Sequence, residues 1–164
     1  MKFIGEDDTM ANSLAALLEK NEDKLVDQTA TSLKVMFGLA YSGVAQEELI
    51  ERLEALFDSF IEIAKRGGNQ PALIEEIVES VLVEPLYHGW SYRSITEEVL
   101  RVVDMVTNHL IDSKLDKPDQ AEDKEASKAL LVDVIRASKE VVNGRERQAA
   151  EERLRKSRGN QPVA

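Results

Sequence analysis

The chain has 164 residues, 43% of them hydrophobic, and carries 21 Lys/Arg against 31 Asp/Glu for a formal net charge of −10. That length suits one compact domain with an appendage, and the hydrophobic share is enough for a core. Without a single cysteine, disulfides, thiolate zinc sites, iron–sulfur clusters and cysteine nucleophiles are excluded, and an acidic chain repels phosphate backbones and anionic lipid surfaces, so neither nucleic acid nor membrane is an expected partner.

The charge is uneven. Residues 119–164 hold ten Lys/Arg and nine Asp/Glu, which leaves eleven and 22 for residues 1–118. The acidic character therefore belongs to the body, and the tail is close to neutral. MKFIGEDDTM offers no apolar run for a signal peptide, and no stretch reaches the roughly 18–20 apolar residues of a membrane span. A cytoplasmic location is expected.

Residues 1–10 read as a flexible lead-in. Asn12 or Ser13 can cap a first short helix through about Lys20, with Leu14, Leu17 and Leu18 on one side. Asn21 and Asp23 open a second helix whose stripe is Leu25, Thr29, Leu33, Met36 and Ala40, and the two could equally be one kinked rod. After a turn at Ala40–Gly43, Glu47 and Glu48 lead a strong helix to about Arg66, with Leu49, Leu53, Leu56, Phe57 and Phe60 on a wide apolar face. Lys65-Arg66 followed by Gly67-Gly68 is a cation-then-glycine stop. Pro71 suits the first turn of the next helix, which carries Leu73, Ile74, Ile77, Val78 and Val81 and meets a kink at Pro85.

Gly89 closes that helix, and Ser94-Ile-Thr-Glu97 is a capping box for its successor. Ile95, Val99, Val102, Val103, Val106 and Leu110 then recur at helical spacing, a buried stripe that ends near Leu115 and Pro118. No stretch alternates with a β period. The expected fold is all-α: a bundle of four to five packed helices over residues 11–118, joined by short turns.

Residues 119–158 differ in composition and are expected to form a long C-terminal linker helix, followed by a disordered tail over 159–164. Leu131, Val134, Ser138 and Val141 approximate a heptad seam about two heptads long, suited to pairing with a second copy as a dimer or relay helix. Asn143-Gly144 is a weak point in it, and RERQAAEERLRKS has Glu/Arg pairs at helical spacing with little to bury.

No catalytic signature is present: no G-x-S-x-G elbow, no phosphate-binding glycine loop, no HExxH and no metal-ligand cluster. The adjacent pairs Glu75-Glu76, Glu97-Glu98 and Glu151-Glu152 point about 100° apart on a helix and form no carboxylate dyad. Tyr87, His88, Trp90 and Tyr92 cluster in one turn, where they either seal the end of the core or gate a pocket with Val106 and His109 on the following helix. His88 is a good helix-terminal cation and His109 a boundary residue. Neither makes a metal or haem site by itself, so no cofactor is expected.

The early segment Leu17-Leu18-Glu-Lys-Asn-Glu-Asp-Lys-Leu25, the long apolar helix Leu49–Arg66, and Gly89-Trp90-Ser91 followed by Ile95 and Glu97-Glu98-Val99-Leu100 resemble the N-terminal sensor domain of RsbR-type stressosome proteins, the RsbT co-antagonist family. The family often carries a tryptophan in its second helix, and this chain has none there. The resemblance implies a globin-like helical domain without haem. It implies a homodimer that passes a signal through a C-terminal helix to an output domain, and therefore a non-catalytic input module. RERQAAEERLRKS is similar to the linkers that precede PAS or kinase modules, so a STAS, PAS or kinase domain is the expected output partner. The rival reading is a globin-like protein that binds haem, a fatty acid or another hydrophobic ligand.

Overall fold

The computed structural model describes residues 6–36, 45–68, 70–80 and 92–159, with side chains for all of these but 6–12, 92–95 and 159. Six α-helices run in order: α1 (Glu6–Lys20), α2 (Glu22–Met36), α3 (Gln46–Lys65), α4 (Pro71–Ser80), α5 (Tyr92–Lys114) and α6 (Ala121–Gly159), the last preceded by a 3₁₀ turn at Pro118–Gln120. No strand occurs among the described residues. None of their helices is long and apolar enough to cross a membrane.

The first helix starts at Glu6, earlier than the lead-in expected over residues 1–10. α1 and α2 are two helices, parted at Asn21. Asn21 turns its side chain back, Nδ2 donating to Leu17 O at 2.8 Å, and so terminates α1. Its own carbonyl accepts from Leu25 N–H at 2.9 Å and starts α2.

The α3 stop follows its sequence signal. Gly68 N–H donates to Ile63 O at 2.9 Å and Gly67 N–H to Ala64 O at 3.2 Å, the paired bonds of a Schellman end. Both glycines hold positive φ, 79° and 95°, which a side chain would strain. Pro71 then opens α4, and Gln70 O accepts from Leu73 and Ile74 N–H. The α4 exit, Pro85, Gly89 and the aromatic turn lie outside the described residues. α5 starts at Tyr92, two residues before Ser94.

α3 is the centre of the bundle and packs against α1, α2 and α4. Phe57, Phe60, Ile63 and Ala64 are sealed within it. α5 joins through its apolar stripe, where Val99, Val102, Val103, Val106, Leu110 and Ile111 are all buried.

The largest departure from expectation concerns α6. It turns back along α5 and also packs on α4 and α1. Lys124 and Lys128 reach Asp112 Oδ1 on α5 at 3.4 and 2.6 Å and hold the turn closed. Leu131, Val134 and Ser138 are buried inside their own chain, with Val141 half-buried beside them. The physical reason is economy of apolar surface. Of the helices before it only α2 packs closely on α5, and the stripe of α6 covers the face that α2 leaves. Residues 121–142 therefore belong to the body, and the change from bundle to rod falls near residue 146, well past the division expected at 118.

Candidate functional site

The site is the place where α6 leaves the body. Its buried face runs Leu131, Val134, Ile135, Ser138 and Val142, one stripe at helical spacing. Ser138 fits this apolar row because its hydroxyl donates to Val134 O at 2.8 Å, so that hydroxyl is not left unpaired. Asn143 to Glu146 are half-buried, and every residue from Arg147 to Arg158 is exposed. The helix passes through Asn143-Gly144 without a break.

At this exit Arg145 grips α4. Its Nη1 lies 2.7 Å from Glu79 Oε1, and its Nη2 donates to Glu75 Oε2. Glu75 and Glu79 stand four apart on one helix, so their carboxylates line up one turn apart and suit the two arms of a guanidinium. Next to this grip lies a groove of about 650 Å³ between the Gly67-Gly68 turn, α4 and α6. Ile63, Ile74, Leu130, Val134 and Val141 supply its apolar wall, with Glu140 at the edge.

A second, shallower groove of about 520 Å³ separates α2 from α5, lined by Gln28, Thr31, Ser32, Met105, Val106 and His109. Two of the expected gate residues are here. Val106 is buried and His109 is exposed. Tyr87, His88 and Trp90 lie outside the described residues. Tyr92 begins α5, and its side chain is outside them too. No group of three or more His, Asp or Glu able to hold a metal occurs among the described residues.

Away from the groove, Glu22 in the first turn of α2 meets Asp58 on α3. Burial and the Asp58 carboxyl push the Glu22 carboxyl up to about 7. On α5, by contrast, Lys128 and then Lys124 hold the Asp112 carboxyl below its usual range.

Sequence reasoning found the α6 seam residues but assigned them to a second copy. It missed the Arg145 grip and the Glu22–Asp58 meeting. The only sequence trace of the first is the i, i+4 pair of glutamates on α4; their partner lies 70 residues from Glu75. The second leaves no trace, because Glu22 reads as an ordinary first-turn acid. No protein-family model, no curated protein and no solved structure matches this chain.

Proposed function

We propose that this chain is a non-catalytic regulatory module, a globin-like helical body that receives a signal and passes it out along α6. One observation carries the reading: α6 is a single helix of 39 residues whose first part is a core element and whose last part is an exposed rod. At about 1.5 Å per residue it is close to 58 Å long, and a rotation or shift at its buried end is transmitted through unbroken helix to its far end. The residues that would feel a change in the body are Leu131, Val134 and Ser138; those that would deliver it are Arg147 to Arg158.

The homodimer and the STAS, PAS or kinase output domain belong to the same proposal, as does the cytoplasmic location. Leu131, Val134 and Ser138 are occupied within their own chain. Pairing between copies therefore falls to the rod, where Ala150 and Leu154 offer apolar surface among Glu/Arg pairs. Sedimentation tests this directly. The full chain should run as a dimer at micromolar concentration, and a chain ending at Glu146 as a folded monomer. A full chain that stays monomeric, or a dimer that survives the truncation, would overturn pairing through the rod.

A second reading, a hydrophobe-binding protein, is favoured by the groove at α3, α4 and α6. Fatty acids that raise the melting temperature of the wild type but not of Val141→Glu would support it. Colourless protein that stays colourless after haem addition would remove its haem form.

A further inference from the structure

Glu22 stands one residue past the break that separates α1 from α2. α1 packs on α3 and α6, whereas α2 packs on α3 and α5, and the two touch each other only slightly. The junction is thus a joint between two helices that serve different neighbours. Its first α2 side chain is a half-buried carboxylic acid whose Oε2 is shut off from water and finds no hydrogen-bond donor.

What faces that acid is more acid. Asp58 on α3 meets it directly, Glu54 lies one turn earlier on α3, and Asp23 follows it in the chain. Among the described residues no ion pair offsets them: Lys20 is exposed at the end of α1, and Lys65 at the end of α3 is turned to Glu19 at 2.9 Å. Two carboxyl groups that meet cannot both remain ionised at low cost, and a proton on Glu22 lets it donate to Asp58.

We infer that Glu22 and Asp58 form a proton-operated clasp that ties the start of α2 to α3 while they share a proton and releases it when the proton leaves. The released state has its own stable place. An ionised Glu22 turned to solvent sits at the N-terminus of α2, where the helix dipole favours a negative charge. The joint therefore has two arrangements with a single proton between them, and the ordinary range of cellular pH spans the change. Opening would free the first turn of α2, together with the Asn21 corner on which the placement of α1 against α3 and α6 depends. The clasp stands on its own geometry and does not require α6 to be an output.

The test is a titration of the full chain followed by carboxyl carbon NMR, with amide exchange measured in parallel and corrected for the intrinsic effect of pH. One glutamate should titrate about two pH units above the ordinary range. That resonance should vanish in Glu22→Gln and move back toward the ordinary range in Asp58→Asn. Glu22→Gln keeps the shape and hydrogen-bonding ability of the protonated acid, so it should fold. Exchange at Asn21–Val26 should quicken several-fold between about pH 6 and pH 8.5 in the wild type, and not in Glu22→Gln. A wild type whose glutamates all titrate in the ordinary range would overturn the inference. So would protection at Asn21–Val26 that ignores pH, or that follows it equally in Glu22→Gln.

Discussion

Arg145 Nη1 sits 2.7 Å from Glu79 Oε1, and this ion pair ties α6 to the body close to where the helix leaves it. One turn before it Val142 is fully buried; two residues after it exposure begins and continues to Arg158. The Arg145 side chain is mostly covered, 28% exposed, while the side chains of both glutamates it grips are more than half open to solvent. Such a pair contributes little to global stability but fixes where a helix stops being held.

Replacing Arg145 with alanine should therefore cost only about 0.5–1 kcal/mol of global stability, and that cost should shrink in high salt. Its local effect should be larger. Amide exchange from Asn143 to Ala150 should rise well above that of the preceding turn, and Glu79→Ala should produce a weaker form of the same change. An exchange pattern unaltered by Arg145→Ala would mean that the grip does not hold the rod.

Cutting the chain separates the two parts of α6. Ending it at Pro118 removes Leu131, Val134, Ile135 and Val142, all buried. At about 1.5–3 kcal/mol for each fully buried side chain, the loss is about 6–12 kcal/mol, comparable to the whole stability of a typical domain. That fragment should show no cooperative melt by circular dichroism. Ending the chain at Glu146 removes, among the described residues, only exposed ones, and should leave the melting temperature within a few degrees of the full chain. Equal melting of both fragments would place the core elsewhere.

The contrast shows what the sequence made legible. Periodicity found every described helix, and the Lys65-Arg66-Gly67-Gly68 stop was readable to within a residue because a Schellman end depends on local backbone chemistry. The destination of the α6 stripe was not readable. Leu131, Val134 and Ser138 have the same spacing whether they face a twin or their own α5, and a short heptad run does not distinguish the two. The deciding quantity is how much of the α5 stripe α2 leaves uncovered, and that belongs to the assembled bundle. The same holds for Arg145 with Glu79 and for Glu22 with Asp58, where each residue is ordinary on its own helix and becomes special through one from another.

Glu22 should also write itself into the dependence of stability on pH. Its carboxyl is raised from 4.5 to about 7 in the folded chain. A group raised on folding binds its proton more tightly in the native state, so its contribution is fully present below about pH 4.5 and is lost as pH climbs through about 7. The full shift would correspond to about 3 kcal/mol, and partial exposure of the side chain should reduce this to about 1–2 kcal/mol. Glu22→Gln should accordingly be more stable than the wild type at pH 8.5 by about that amount, with the gap closing toward pH 5. Urea melts at the two pH values measure it, and a gap of the same size at both would show that the variant acts through packing and not through the proton.

The glycines divide by what a methyl group would meet. Gly67 holds φ of 79° with nothing within 4 Å of an added Cβ, so Gly67→Ala carries backbone strain alone, about 1 kcal/mol. Gly68 holds φ of 95°, farther from the left-handed helical well, and its added Cβ would come within 3.0 Å of Leu130 Cδ1 on α6. Gly68→Ala should cost more, about 2 kcal/mol, because the strain is larger and Leu130 must also shift. Gly144 lies within α6 with open space around its Cα, so Gly144→Ala removes a flexible residue from a helix interior and should stabilise by about 0.5–1 kcal/mol. Thermal melts of the three variants should rank Gly144→Ala first, then wild type, Gly67→Ala and Gly68→Ala. If Gly68→Ala melted above Gly67→Ala, the α3–α4 turn would not be pressed against α6, and the closeness of Gly68 to Leu130 could not be part of what holds the last helix to the body.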